Sequence, residues 1–139
     1  MEQAGLLRCV GQTNEQIFYV EYGAGKGGLS HFVSQRLSDK YHEEKPDMTE
    51  IKMNDSKFVL IDRDARRNKK DRYMRASGFT TERYLMDIAD FDIVKYLQHI
   101  QTTSSSGKEI RIVGIAKHLC GGATDLTLTS FQKLKSGSL

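Results

Sequence analysis

"FYVEYGAGKGGLS", Phe18 to Ser30, packs four glycines into thirteen positions directly behind an apolar, aromatic run. The run itself, IFYVEYG from Ile17 to Gly23, has the β-branched and aromatic content of a buried strand. Behind the glycines, Leu29, Phe32, Val33 and Leu37 recur at helical spacing in GLSHFVSQRL. The stretch reads strand, glycine turn, helix, an order in which the turn wraps a nucleotide.

The same alternation repeats along the chain. KFVLIDRD is a second buried strand ending in charge, and TERYLMDIAD predicts a third, shorter one ending near Asp87. IRIVGIAKHLCGG predicts a fourth strand, broken at Lys117. Between them, DFDIVKYLQHI sets Ile93, Val94, Leu97 and Ile100 on one helical face, QTTSSSGKE is a loop, and ATDLTLTSFQKLK begins a last helix. The polar run from Ser38 to Lys57 holds the only proline, Pro46, and reads as an exposed loop or insertion. Strands alternating with helices predict an α/β, Rossmann-like single domain over residues 1–139, with about four parallel strands and helices on both faces. Ligands of such sheets bind at the carboxyl ends of the strands. Glu21 to Gly28, Asp62, Asp87 and Lys117 to Gly121 all fall there.

Composition narrows the class. The chain has 139 residues, 38% hydrophobic and 28% charged, and a mean hydropathy of −0.52, the profile of a folded water-facing domain. No apolar run approaches the ~20 residues that cross a bilayer, and MEQAGLLRCV is not a signal peptide. Two distant cysteines, Cys9 and Cys120, read as reduced thiols of a cytoplasmic or nuclear protein rather than a secreted one. A zinc site needs about four ligands, and His118 with Cys120 supplies two, so no metal is expected. The stretch RDARRNKKDRYMR, Arg63 to Arg75, holds seven basic residues against two acids, in a chain whose net charge is only +3. It lacks glycine and proline and reads as a helix with Arg63, Arg66, Arg67 and Lys70 on one face. Such a face suits phosphate.

Two cofactors fit the glycine turn. Gly23, Gly25 and Gly28 match the dinucleotide fingerprint G-x-G-x-x-G. Glu21 with Gly23, Gly25 and Gly27 also matches E-x-G-x-G-x-G, the pattern of S-adenosylmethionine binding. An acid at Glu21 would repel a pyrophosphate but can pair with an ammonium group. Asp62 would take ribose hydroxyls in either case, and Asp87 would reach an adenine amino group, although strand-end acids also act as helix caps. The Walker phosphate loop is excluded because no G-K-[ST] occurs.

Three runs together, VEYGAGKGGLSH, LIDRDARRNKKDR and GIAKHLCGGATDLTL, resemble the tRNA:m4X modification enzymes, ribose 2′-O-methyltransferases that act at position 4 of the tRNA acceptor stem. K-H-L-C-G-x-A-T-D-L is the most specific of the runs, and the likeness extends from about Phe18 to Leu128. It implies a class I methyltransferase fold that uses S-adenosylmethionine and releases S-adenosylhomocysteine. By this resemblance Glu21, Tyr22, Gly23, Ala24, Gly25, Gly27, Asp62, Arg63, Asp87 and Ile88 line the cofactor. Arg66, Arg67, Lys69 and Lys70 meet tRNA phosphates, and Lys117 and His118 face the acceptor ribose. The family's upstream zinc modules and the strands after the fourth have no counterpart here. A fragment, a short isoform or a reduced relative is therefore expected, with an unpaired fourth-strand edge open to a partner chain.

A ribose 2′-hydroxyl needs in-line positioning and removal of its proton. Lysine, at about 10.4, serves as a base only if burial or the sulfonium lowers it. Histidine titrates near neutrality. Lys117 and His118 both stay open as the base, and each also has a plain alternative, phosphate binding for Lys117 and a structural hydrogen bond for His118. Two other functions remain alongside catalysis: a cofactor- or RNA-binding fragment without activity, and an NAD(P)-binding Rossmann fragment.

Overall fold

Ile17 to Tyr22 is a continuously buried run, with no residue more than 4% exposed. A strand buried on both faces must lie inside a sheet covered on both sides, and the computed structural model has this arrangement. It describes residues 14–47, 53, 55–65, 70–103 and 107–136. Strands β1 (Glu15–Tyr22), β2 (Ser56–Ile61), β3 (Thr80–Tyr84) and β4 (Glu109–Ile115) alternate with helices α1 (Gly28–Glu44), α2 (Asp71–Ala76), α3 (Ile93–Thr103) and α4 (Gly122–Ser136). The four strands form one parallel sheet in the order β3-β2-β1-β4. The expected Rossmann-like α/β architecture is present.

The period-two alternation of β1 and β2 divides the core. Ile17, Tyr19, Phe58 and Leu60 pack with Val33, Leu37 and Tyr41 of α1 and Met74 of α2. Phe18, Val20, Tyr22, Val59 and Ile61 pack with Ile93, Tyr96 and Leu97 of α3, and with Phe131 and Leu134 of α4. Each such apolar side chain contributes about 1.5–3 kcal/mol by leaving water. The chain runs β1 to β2 to β3 along one side, then crosses back so that β4 lies on the other side of β1. The strand order reverses between β1 and β4, the place where open parallel sheets bind ligands. Among the described residues no helix is long and apolar enough to cross a membrane.

Several expected boundaries move. The loop expected from Ser38 is helical as far as Glu44, because Tyr41 continues the Val33–Leu37 stripe into the core. Ser56 and Lys57 belong to β2 and are buried. Phe32, expected on the core stripe, is 58% exposed. The basic stretch is not helical from Arg63: α2 begins at Asp71. Asp62 Oδ1 accepts the Asp64 N–H at 2.7 Å, a local turn that competes with helix formation. Arg63 and Lys70 therefore share no helical face. The third strand ends at Tyr84 rather than near Asp87, since its partner β2 ends at Ile61, the residue opposite Tyr84.

Candidate active site

The glycine turn leaves β1 at Gly23 and enters α1 at Gly28. Gly23, Gly25 and Gly27 hold φ of 67°, 51° and 76°, the left-handed region that only glycine adopts without strain. Gly28 lies outside that region, and a Cβ there would meet nothing within 4 Å. A Cβ on Gly27 would lie 2.7 Å from Leu60 Cδ2. The left-handed glycines thus follow the alternating 23-25-27 spacing; a Cβ would be crowded at Gly27 and Gly23 but would meet nothing within 4 Å at Gly25.

The turn is held from two directions. Asp62, at the end of β2, accepts the Gly25 N–H at 2.7 Å through Oδ2. From the α1 side, Arg83 of β3 donates from Nη1 to the Gly25 carbonyl at 2.9 Å. Its other nitrogens fork onto Asp71, Nε to Oδ2 at 2.6 Å and Nη2 to Oδ1 at 2.7 Å. Burial alone would raise the Asp71 carboxyl, but the Arg83 hydrogen bonds and charge outweigh it and hold Asp71 below the usual carboxylate range. The Lys70 N–H adds a bond to the Lys26 carbonyl at 2.7 Å.

Beside the turn, at the reversal between β1 and β4, opens a cleft of about 410 Å³, within the range of small-molecule sites. Gly23, Asp62, Arg63, Asp87, Ile88 and His118 line it, joined by Leu119, Gly122, Ala123 and Leu126. Six of the residues expected at the site thus converge from the ends of all four strands. Asp87 Oδ1 caps the 3₁₀ turn Ile88–Asp90 by accepting the Ala89 N–H at 3.0 Å, and Arg63 Nη1 stands 3.8 Å from its Oδ2. A carboxylate has about four acceptor positions, so Asp62 and Asp87 keep capacity for further donors.

The other expected residues stand elsewhere. Glu21 does not line the cleft: it is 2% exposed and turned into the first turn of α1, where it accepts the Ser30 N–H at 3.0 Å and the Ser30 hydroxyl at 2.5 Å. The alternation of β1 dictates this, since Glu21 shares the face of Ile17 and Tyr19. Burial raises its carboxyl above the usual value, against the two Ser30 bonds. Tyr22 projects to the opposite face, between Phe91 and Phe131, with its hydroxyl 3.4 Å from Ser130 Oγ. Ala24 is buried and donates its N–H to the Ile61 carbonyl. Lys117 is exposed and is not a lining residue of the cleft. Lys70 precedes α2, with its ammonium 5.2 Å from the Tyr73 ring centre. Arg66, Arg67 and Lys69 lie outside the described residues.

Arg83, Asp71, Ser30 and the apolar wall of Leu119, Ala123 and Leu126 were missed from sequence. A signal existed for Arg83: it faces the same side of the sheet as its register partner Leu60, where an arginine needs a partner.

The chain matches the family model described as Methyltransferase TRM13 over residues 1–138. The tRNA:m(4)X modification enzyme TRM13 of Debaryomyces hansenii is 36% identical over 149 residues, covering 97% of this chain and 28% of the relative. That of Scheffersomyces stipitis is 33% identical, covering 81% and 26%. The Homo sapiens homolog is 35% identical, covering 79% and 19%. The chain thus spans about a quarter of the length of the curated relatives it matches. No solved structure matches it significantly.

Proposed function

The chain belongs to the TRM13 methyltransferase family, and from that premise we propose that its cleft takes S-adenosylmethionine for 2′-O-methylation of tRNA at position 4 of the acceptor stem. The observation that carries the choice of cofactor is the contrast between Gly27 and Gly28. A dinucleotide turn uses its third glycine for close helix–strand packing. Here a Cβ at that position, Gly28, would meet nothing within 4 Å, whereas Gly27 is left-handed and a Cβ there would press on Leu60. The alternating pattern therefore has the better physical support.

The lining fits the group. Asp62 would accept from ribose hydroxyls with the lone pairs its backbone bonds leave over. Asp87 would accept from an exocyclic amine, and Ile88, Leu119 and Leu126 offer apolar walls to a base and a thioether chain. Glu21, turned away from the cleft, would act from beneath by fixing α1 to the turn. Bound there, S-adenosylmethionine would supply a methyl group on a sulfonium, a leaving group that needs no acid. His118, on the cleft wall, is the better placed of the two candidate bases to take the hydroxyl proton. Lys117, outside the lining, would serve substrate phosphates. Lys70 and the basic residues before it would meet the tRNA backbone without reading bases, in whichever of cytoplasm or nucleus holds the substrate. The outer edge of β4, unpaired among the described residues, fits a further strand from this protein or a partner.

Incubation with unmodified tRNA and methyl-labelled S-adenosylmethionine tests the reading. Label should appear at one nucleotide whose phosphodiester then resists alkali, because a 2′-O-methyl removes the attacking hydroxyl. Alkali-labile label would exclude ribose methylation, and cofactor binding without transfer would leave this chain a binding part alone.

A further inference from the structure

The turn that shapes the cleft is fastened from its far side by a buried ion pair whose residues do not line the cleft. Arg83 and Asp71 have side chains 7% and 8% exposed, joined by two parallel hydrogen bonds. The remaining Arg83 nitrogen reaches the Gly25 carbonyl. A Cβ on Gly27 would stand 3.1 Å from Arg83 Nη2 and 3.2 Å from Asp71 Oδ1, so the turn rests directly on the pair. Asp62 pulls the amide of Gly25 from the cleft side while Arg83 pulls the carbonyl of the same residue from the other. Two opposed bonds on one left-handed glycine fix the orientation of its peptide planes.

We infer that Arg83, oriented by Asp71, is a positioning residue that holds Gly25 and its neighbours in the form the cofactor binds. Well-packed apolar replacements of buried ion pairs are often neutral or stabilising, so a loss of binding can be separated from a loss of the fold. Lysine cannot reproduce the arrangement, because its single ammonium lacks the planar fork that reaches two acceptors on opposite sides.

The inference rests on the proposed cofactor, and its test keeps the two apart. S-adenosylhomocysteine is titrated into the wild-type chain, into the double variant Arg83→Met with Asp71→Leu, and into Arg83→Lys, with melting temperatures measured alongside. The double variant is expected to melt within about 8 °C of wild type yet to bind about tenfold or more weakly, the scale of a lost charge-assisted hydrogen bond. Wild-type affinity in a folded double variant would overturn the positioning role. Should the double variant not fold, Arg83→Lys decides: about fivefold or greater weakening supports the role, and unchanged affinity overturns it. Failure of the wild-type chain to bind would remove the cofactor reading and this inference with it.

Discussion

Gly27 sits so close to Leu60 that a Cβ on the glycine would lie 2.7 Å from Leu60 Cδ2. Its φ of 76° is a second barrier to any side chain. Gly27→Ala should therefore destabilise the chain by about 1–3 kcal/mol. Gly28→Ala, one residue on, enters open space at the start of α1 and should be neutral or stabilising by up to about 1 kcal/mol. Urea midpoints of the two variants check this, and equal losses would contradict the assignment of roles within the turn.

Glu21 offers a test by pH. Its carboxyl is raised by burial, so the folded chain holds that proton more tightly than the unfolded chain does. The stability tied to this group is fully present below the unfolded value, about 4.3, and is lost as pH rises through the raised folded value. Glu21→Gln keeps an oxygen for the Ser30 donors and does not titrate. Its melting temperature should gain on wild type progressively from about pH 4 upward. A gap that stays constant, or one that widens toward acid, would contradict a carboxyl raised by burial.

At the amino end of the sheet, Lys57 is fixed by Glu82 at 2.6 Å, with side chains 10% and 35% exposed. Glu82 also accepts the hydroxyls of Tyr84 at 3.1 Å and Tyr96 at 3.0 Å, and Lys57 lies over the rings of Phe18 and Tyr96. Burial would raise Glu82, but Lys57 and the two hydroxyls hold it below the usual range. Glu82→Ala leaves Lys57 buried without its counter-charge and should cost about 3 kcal/mol. Tyr96→Phe removes one donor of three and should cost about 1 kcal/mol. Because the Glu82 carboxyl is lowered on folding, its contribution is present above the unfolded carboxylate value and fades as pH falls through the folded one. Denaturant titrations at neutral and acid pH check both points.

The sheet was legible because its signals are strong and local. β1 and β2 are continuous apolar runs that two-sided burial demands, and a glycine turn marks where β1 stops. Elements governed by their neighbours were less so. Polar letters concealed α1 from Ser38 to Glu44, where the single buried anchor is Tyr41. The stretch after β2 has a helical composition, yet the Asp62 side chain takes the Asp64 N–H and delays the helix. At the site, Asp62, Asp87 and His118, each carried by a strand end, meet around one cleft. Side-chain direction was not readable where it depends on the phase of a strand, which is why Glu21 proved to sit beneath the turn and Arg83 went unnoticed.

His118 and Lys117 are neighbours in sequence with different positions, one lining the cleft and one outside it. In methyl transfer to unmodified tRNA, His118→Ala should reduce kcat by about a hundredfold, the usual scale of a lost general base. Lys117→Ala should act on the KM for tRNA, with a salt-dependent loss. Equal kcat losses in the two would contradict the assignment of the base to His118.

Calorimetric titration of the chain with S-adenosylhomocysteine and with NAD separates the two cofactors that the glycine turn admits. Saturable binding of S-adenosylhomocysteine that Gly27→Ala weakens is expected, with no measurable heat from NAD, if the cleft takes S-adenosylmethionine. Binding of NAD in its place would contradict that reading.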